Sequence, residues 1–212
     1  FGRNFQRTRT IQTEILRLYL FKIRPYKDGR GRMRIIAGKH RGRVLKEFKG
    51  REIRPTSDRA KEALFNILQF DIAGSEFLDL YSGTGGIGLE ALSRGAERVV
   101  FVDNSRESVK LLKENLAYLK EQAEVVESDA LSFVSLTKDK FDLIFLDPPY
   151  SVNATEVVET AIKRGILKDG GRIIYEHSED FEAVALSAEK VDSRKYGIAV
   201  FDFFVPKTEG AD

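Results

Sequence analysis

Four short apolar runs mark the middle of the chain: EFLDLYS (76–82), RVVFVD (98–103), AEVVESD (123–129) and KFDLIFLD (140–147), with segments of helical spacing between them. Runs of this length, rich in β-branched and aromatic residues, read as strands. Strands joined through helices lie parallel, because each crossover brings the chain back to the same end of the sheet. The best-marked crossover is RESVKLLKENLAYLK (106–120), with Ser105 as N-cap, and another is centred on NATEVVETAIKRG (153–165). The pattern predicts a doubly wound α/β sheet with helices on both faces.

The chain closes differently. After DGGRIIYE (169–176) and a short amphipathic DFEAVALSA (180–188), the segment EKVDSRKYGIAVFDFFVP holds two strand-like runs that meet at Tyr196-Gly197 with no helix between. That predicts a final antiparallel hairpin. Upstream, MRIIAGKHRGRVLKEF (33–48) alternates around Gly42 and reads as a small basic hairpin or loop-rich arm. RPTSDRAKEALFNIL (54–68) then predicts a helix capped by Thr56 or Ser57, with Ala60, Leu64, Phe65 and Leu68 on one face. Residues 1–32 precede the only methionine, Met33, and read as an extension or basic leader set apart from the fold. The expected organisation is therefore extension 1–32, arm 33–55 and main domain 56–212.

Composition removes several chemistries. There is no cysteine, which excludes disulfides, thiolate-bound metals and thiol nucleophiles and fits a cytoplasmic protein. With only His40 and His177, a histidine metal site or a Ser-His-Asp triad has little to draw on, and no run reaches a membrane span. Charge is uneven: residues 1–61 hold 19 Lys/Arg against 5 Asp/Glu, leaving 16 against 28 for residues 62–212. A basic arm on an acidic body is either a solvated face or the footprint of a polyanion.

LDLYSGTGGIG places Gly83, Gly85 and Gly88 in G-x-G-x-x-G spacing between a strand and a helix. Asp103 stands at the tip of the next strand, 20 residues after Gly83, where a carboxylate can accept both hydroxyls of a ribose. The spacing predicts a nucleoside-containing cofactor without telling NAD from S-adenosylmethionine. Asp79 inside the first strand and Asp129 after the third favour a cofactor with one nucleoside, since no second mononucleotide-binding half is visible. Asp129 serves equally well as a helix N-cap, and the two roles are compatible.

FDLIFLDPPY delivers Asp147, Pro148, Pro149 and Tyr150 to the carboxyl end of a strand, where ligands bind in open α/β sheets. Each proline holds its predecessor extended and lacks an N–H, so the corner presents the Asp147 carboxylate and the Pro148 carbonyl with no donor between them. Those two acceptors suit the two N–H groups of a flat exocyclic amine, and Tyr150 suits the ring that bears it. Methylating a pyrimidine ring carbon generally uses a thiol adduct, so a cysteine-free chain points to a nitrogen target. The plainer alternative is an ordinary proline-rich turn.

In their order, FLDLYSGTGGIGLEALSRGA, VVFVDNS, ESDA and FDLIFLDPPY resemble the Rossmann-like (class I) S-adenosylmethionine-dependent methyltransferases of exocyclic amines. MRIIAGKHRGRVL, IRPTSDRAKEALFNIL and KYGIAVFDFF narrow the resemblance, across about residues 33–206, to the RsmD family of bacterial small-subunit ribosomal RNA methyltransferases. The resemblance implies a mostly parallel seven-stranded sheet ending in the antiparallel hairpin. It implies S-adenosylmethionine as cofactor and transfer to a guanine N2 amine in 16S ribosomal RNA, of the guanine(966)-N2 type. The partner is that RNA or a small ribosomal subunit particle, and the expected species is a monomer without metal. By motif, Asp79, Ser82, Gly83 and Gly85 line the methionine part, Asp103 and Asn104 the ribose, and Asp129 with Ala130 the adenine. Asp147 to Tyr150 hold the guanine, and Arg34, Lys39, Arg41, Arg43, Arg54 and Arg59 contact RNA. Tyr81 stands where the broad class often has glycine. A DNA adenine-N6 or cytosine-N4 methyltransferase, which shares D-P-P-Y, and a non-catalytic RNA-binding assembly protein are the alternative readings.

Overall fold

The computed structural model describes residues 33–48, 58–149, 152–180 and 185–207. Within them, the first helix is α1 (Asp58–Ile67), followed by β1 (Glu76–Leu80), α2 (Gly88–Ser93), β2 (Arg98–Asp103) and α3 (Arg106–Leu119). The chain continues through β3 (Glu124–Glu127), α4 (Ala130–Leu136), β4 (Phe141–Leu146) and α5 (Thr155–Lys163). It ends with β5 (Leu167–Ser178), β6 (Ala188–Tyr196) and β7 (Ala199–Pro206). The expected cap of α1 at Thr56 or Ser57, and the expected boundary at 55/56, lie outside the described residues, as do residues 181–184 of DFEAVALSA.

The seven strands run in the order β3-β2-β1-β4-β5-β7-β6. Pairs from β3 to β5 are parallel, while β7 runs antiparallel to both β5 and β6. The Rossmann-like α/β architecture with its closing hairpin is thus as expected. Gly197 takes φ +69° in the hairpin turn, a left-handed conformation suited to glycine. The edge strand β6 turns Glu189, Lys190, Asp192, Arg194 and Lys195 outward or partly outward, charges that blunt an open sheet edge.

Alternation along the strands divides the core in two. Phe77, Phe101, Phe145, Phe201 and Phe203 pack with Leu64 and Phe65 of α1, Leu89 of α2 and Leu112 and Leu116 of α3. On the other face Leu78, Val100, Ile144 and Ile173 meet Val134 of α4 and Val157 and Val158 of α5. Burying each such side chain contributes about 1.5–3 kcal/mol. Ser105 caps α3 as expected, its Oγ accepting from Ser108 N at 3.3 Å. Among the described residues, no helix is long and apolar enough to cross a membrane.

Candidate active site

β1 is the switch point of the sheet. Its Leu80 lies opposite Val102 of β2 on one side and Leu146 of β4 on the other. The next step along each strand therefore puts Tyr81 between Asp103 and Asp147, at the carboxyl edge where the strand order reverses. Here the glycine loop and the DPPY corner, 64 residues apart, become neighbours.

The loop is a tight turn held by carboxylates. Gly85 N donates to Ser82 O at 2.8 Å, and Gly83 N donates to Asp103 Oδ2 at 2.7 Å. The other Asp103 oxygen accepts from Ser105 N at 2.8 Å, so Asp103 braces both the glycine turn and the start of α3. Gly83 and Gly85 have φ +54° and +89°. A Cβ on Gly83 would point into open space, whereas one on Gly88 would strike the Phe101 ring, so the first glycine leaves room for a ligand and the last serves helix-to-strand packing. Tyr81 also has a left-handed φ, +58°, at a cost of about 1–2 kcal/mol for a residue with a Cβ. Burial, with the Asp129 charge adding, pushes its phenol up to about 12.

Asp79 lies beneath this turn, 1% exposed, its Oδ2 accepting from Gly88 N at 2.8 Å. Burial pushes its carboxyl up to about 8; the Asp147 and Asp103 charges push the same way, while the Gly88 N–H favours the ionised form. Ser82 is buried, and its Oγ meets no hydrogen-bond partner among the described residues. A buried hydroxyl in that condition is suited to a polar ligand. Asn104 is exposed beside Asp103. Asp129 is the N-cap of α4, accepting from Ser132 N at 3.0 Å, and Ala130 behind it is buried.

At the corner, Asp147 is half-buried, Pro148 buried and Pro149 exposed. The Pro149 carbonyl accepts from Val152 N at 2.7 Å, closing the turn after β4. Tyr175 of β5, fully buried, accepts from Ala154 N at 3.1 Å; burial, with the Asp147 charge adding, raises its phenol. Tyr150 and Arg54 lie outside the described residues.

The arm is bolted to this site from behind. Arg34 and Val44 form a single antiparallel bridge, and Met33, Ile35 and Leu45 are buried in the same core as α1 to α3. Glu90 of α2, fully buried, accepts from Ile36 N at 2.8 Å and Ala37 N at 2.9 Å and pairs with Arg94 at 2.8 Å and Lys61 at 3.5 Å. The Lys61 ammonium also donates to Arg34 O at 2.6 Å, and burial lowers its pKa against the pull of Glu90. Neither Glu90 nor Asn115, which ties Lys46 to the loop, is visible as functional in the motifs. The need shows only in the fold: GLEALS is buried all round, so a glutamate there needs partners.

The predicted RNA-contacting cations differ in their surroundings. Arg34 pairs with Asp58 at 2.8 Å and Lys39 with Glu121 at 2.7 Å. Arg43 lies 5.7 Å from the centre of the Tyr118 ring, and Arg41 and Arg59 are exposed. Among the described residues, no group of three or more His, Asp or Glu is placed to hold a metal ion.

The family described as Conserved hypothetical protein 95 matches residues 33–205. A Haemophilus influenzae protein named Ribosomal RNA small subunit methyltransferase D is 40% identical over 159 residues, which span 72% of this chain and 82% of that protein. Its Escherichia coli namesake is 38% identical over 162 residues, 74% of this chain and 79% of that protein. Among solved structures, Escherichia coli yhhF superposes with a TM-score of 0.75 at 32% identity, covering 84% of this chain and 99% of that one. Thermus thermophilus TTHA0928 gives 0.70 at 30% identity, covering 80% and 97%.

Proposed function

Because the chain belongs to the RsmD family, described as Conserved hypothetical protein 95, we propose that it is a small-subunit ribosomal RNA methyltransferase. Its reaction is transfer of a methyl group from S-adenosylmethionine to the exocyclic N2 amine of a guanine. The observation that carries this reading is the convergence of Asp79, Asp103 and Asp147 on the glycine turn, where burial and mutual charge hold Asp79 well above the ordinary carboxylate range.

The Asp103 and Asp147 side chains at this edge disfavour the diphosphate of a dinucleotide and favour a cofactor that carries an ammonium and a sulfonium, and an ammonium beside Asp79 favours its ionised form. The residues present fit that group. Asp79 and the Ser82 hydroxyl suit the methionine end, the open side of Gly83 admits it, Asp103 with Asn104 suits the ribose, and Asp129 with Ala130 suits the adenine edge. When bound, the cofactor supplies an electrophilic methyl group.

The chain's own work is positional. A nucleobase amine is a poor nucleophile because its lone pair is delocalised into the ring. The Asp147 carboxylate and the Pro148 carbonyl each accept one of its hydrogens, favouring a tetrahedral nitrogen with an aimed lone pair. Asp147 need not be a strong base, since the proton turns acidic as the nitrogen is alkylated.

The test is incubation with tritiated S-adenosylmethionine and 16S ribosomal RNA, small subunits or DNA, followed by nucleoside mass analysis. The expected product is N2-methylguanosine in the ribosomal RNA. Label in DNA alone overturns the reading. Asp147→Ala is expected to slow transfer on the order of 10²-fold or more with affinity for S-adenosylhomocysteine nearly unchanged. Intact turnover in that variant removes the clamp.

A further inference from the structure

Asn115 of α3 is fully buried, and its carboxamide is committed in three directions. Oδ1 accepts from Lys46 N at 2.7 Å, and Nδ2 donates to Lys46 O at 3.1 Å and to Thr84 O at 3.0 Å. The first two bonds mimic a neighbouring strand laid along the arm. The third reaches into the glycine loop. The peptide unit it grips, Thr84–Gly85, is held at its opposite end as well, since Gly85 N donates to Ser82 O at 2.8 Å. Asn115 thus fixes the plane of the turn that carries Ser82 and Gly83.

Packing reinforces the connection. Leu112, three residues earlier on the same helix, fills the space a Cβ of Gly85 would need. Met33 of the arm crowds Gly86, a Cβ there falling 2.9 Å from its sulfur, and Thr84 Oγ1 lies 3.6 Å from the same atom. Turning Lys46 away breaks two bonds to the Asn115 amide, and turning that amide releases the Thr84 carbonyl.

We propose that Asn115 is a positioning residue that couples the docked arm to the cofactor turn, so that filling the glycine loop steadies residues 33–48 and a polyanion held on the arm tightens the cofactor. This rests on the methyl-donor reading of the site. Coupling of this kind is reciprocal, each ligand strengthening the other by the same factor. The arm is thereby part of the catalytic apparatus as well as a surface for RNA.

Hydrogen–deuterium exchange on the full chain, with and without saturating S-adenosylhomocysteine and with calorimetry as the check on binding, tests the link. The expected result is exchange slowed about fivefold or more across 33–48, with 155–163 on the far face unchanged. In Asn115→Leu, which nearly keeps the side-chain shape and has neither the acceptor for Lys46 N nor the donor to Thr84 O, the ligand still binds, more weakly, and the arm's protection disappears. Absence of any binding to the unaltered protein overturns the methyl-donor reading. Binding that leaves exchange across 33–48 unchanged overturns the coupling and leaves that reading standing. Protection that survives in Asn115→Leu removes Asn115 from the link. Should that variant not fold, the unaltered protein alone decides the coupling.

Discussion

Asp79 is where single-residue chemistry can be followed most directly. Its carboxyl is pushed up from an ordinary 3.8 to about 8 in the fold, chiefly by burial. An unfolded chain gives up this proton near pH 4 and the folded chain keeps it, so through this group the unliganded fold loses stability as pH rises between those values. A ligand that brings an ammonium to Asp79 favours the ionised form and must expel the proton. Affinity for S-adenosylhomocysteine is therefore expected to rise from pH 6 to 8, approaching tenfold per unit, and to level off above. Calorimetry should record proton release at pH 7, and Asp79→Asn should flatten the profile; a flat profile in the unaltered protein places the ammonium elsewhere. Asp79, Asp103 and Asp147 were legible because each sits at a fixed place relative to a strand and a turn. Tyr81 shows what spacing leaves out: the left-handed backbone is kept although the residue is not glycine.

At the scale of elements, the strand-and-helix alternation was readable because burial on two faces demands it. The closing hairpin was readable because Tyr196-Gly197 leaves no length for a crossover. The docking of the arm was not, since its partners are remote: Glu90 lies 53 and 54 residues from the amides it holds, and Asn115 lies 69 from Lys46. Local pattern carries no record of such pairings. Glu90→Ala strips partners from two backbone amides, Arg94 and the buried Lys61 together. We expect a loss of roughly 3–5 kcal/mol, the range for removing one member of a buried charge cluster, read as a lower urea midpoint. A change under 1 kcal/mol would mean that the arm is held without Glu90, by its apolar residues and its remaining hydrogen bonds.

Over the whole molecule, the positive arm and negative body are partly reconciled with each other. Lys39, Arg34 and Lys46 are paired with Glu121, Asp58 and Glu114, and His40 also meets Glu121. Arg41 is exposed and Arg43 lies over Tyr118. A cation already facing a carboxylate releases fewer counterions when it meets a phosphate. The double change Arg41→Gln with Arg43→Gln is therefore expected to reduce the salt slope of RNA binding by about 0.7 per charge on single strands. Lys39→Gln and Arg34→Gln should each reduce it less. Equal losses from both pairs would mean that the ion pairs open on binding.

The position of β7 also governs when the molecule can finish itself. This strand lies between β5 and β6, yet it is the last of the seven to be synthesised. Until the chain has been made as far as Pro206, β5 and β6 each present an unpaired edge, and Phe201, Phe203 and Phe204 are missing from the core. A nascent chain can assemble β1 to β5 early, but the sheet is sealed in one late step, and a ribosome that stalls before Ala199 leaves a product with two sticky edges.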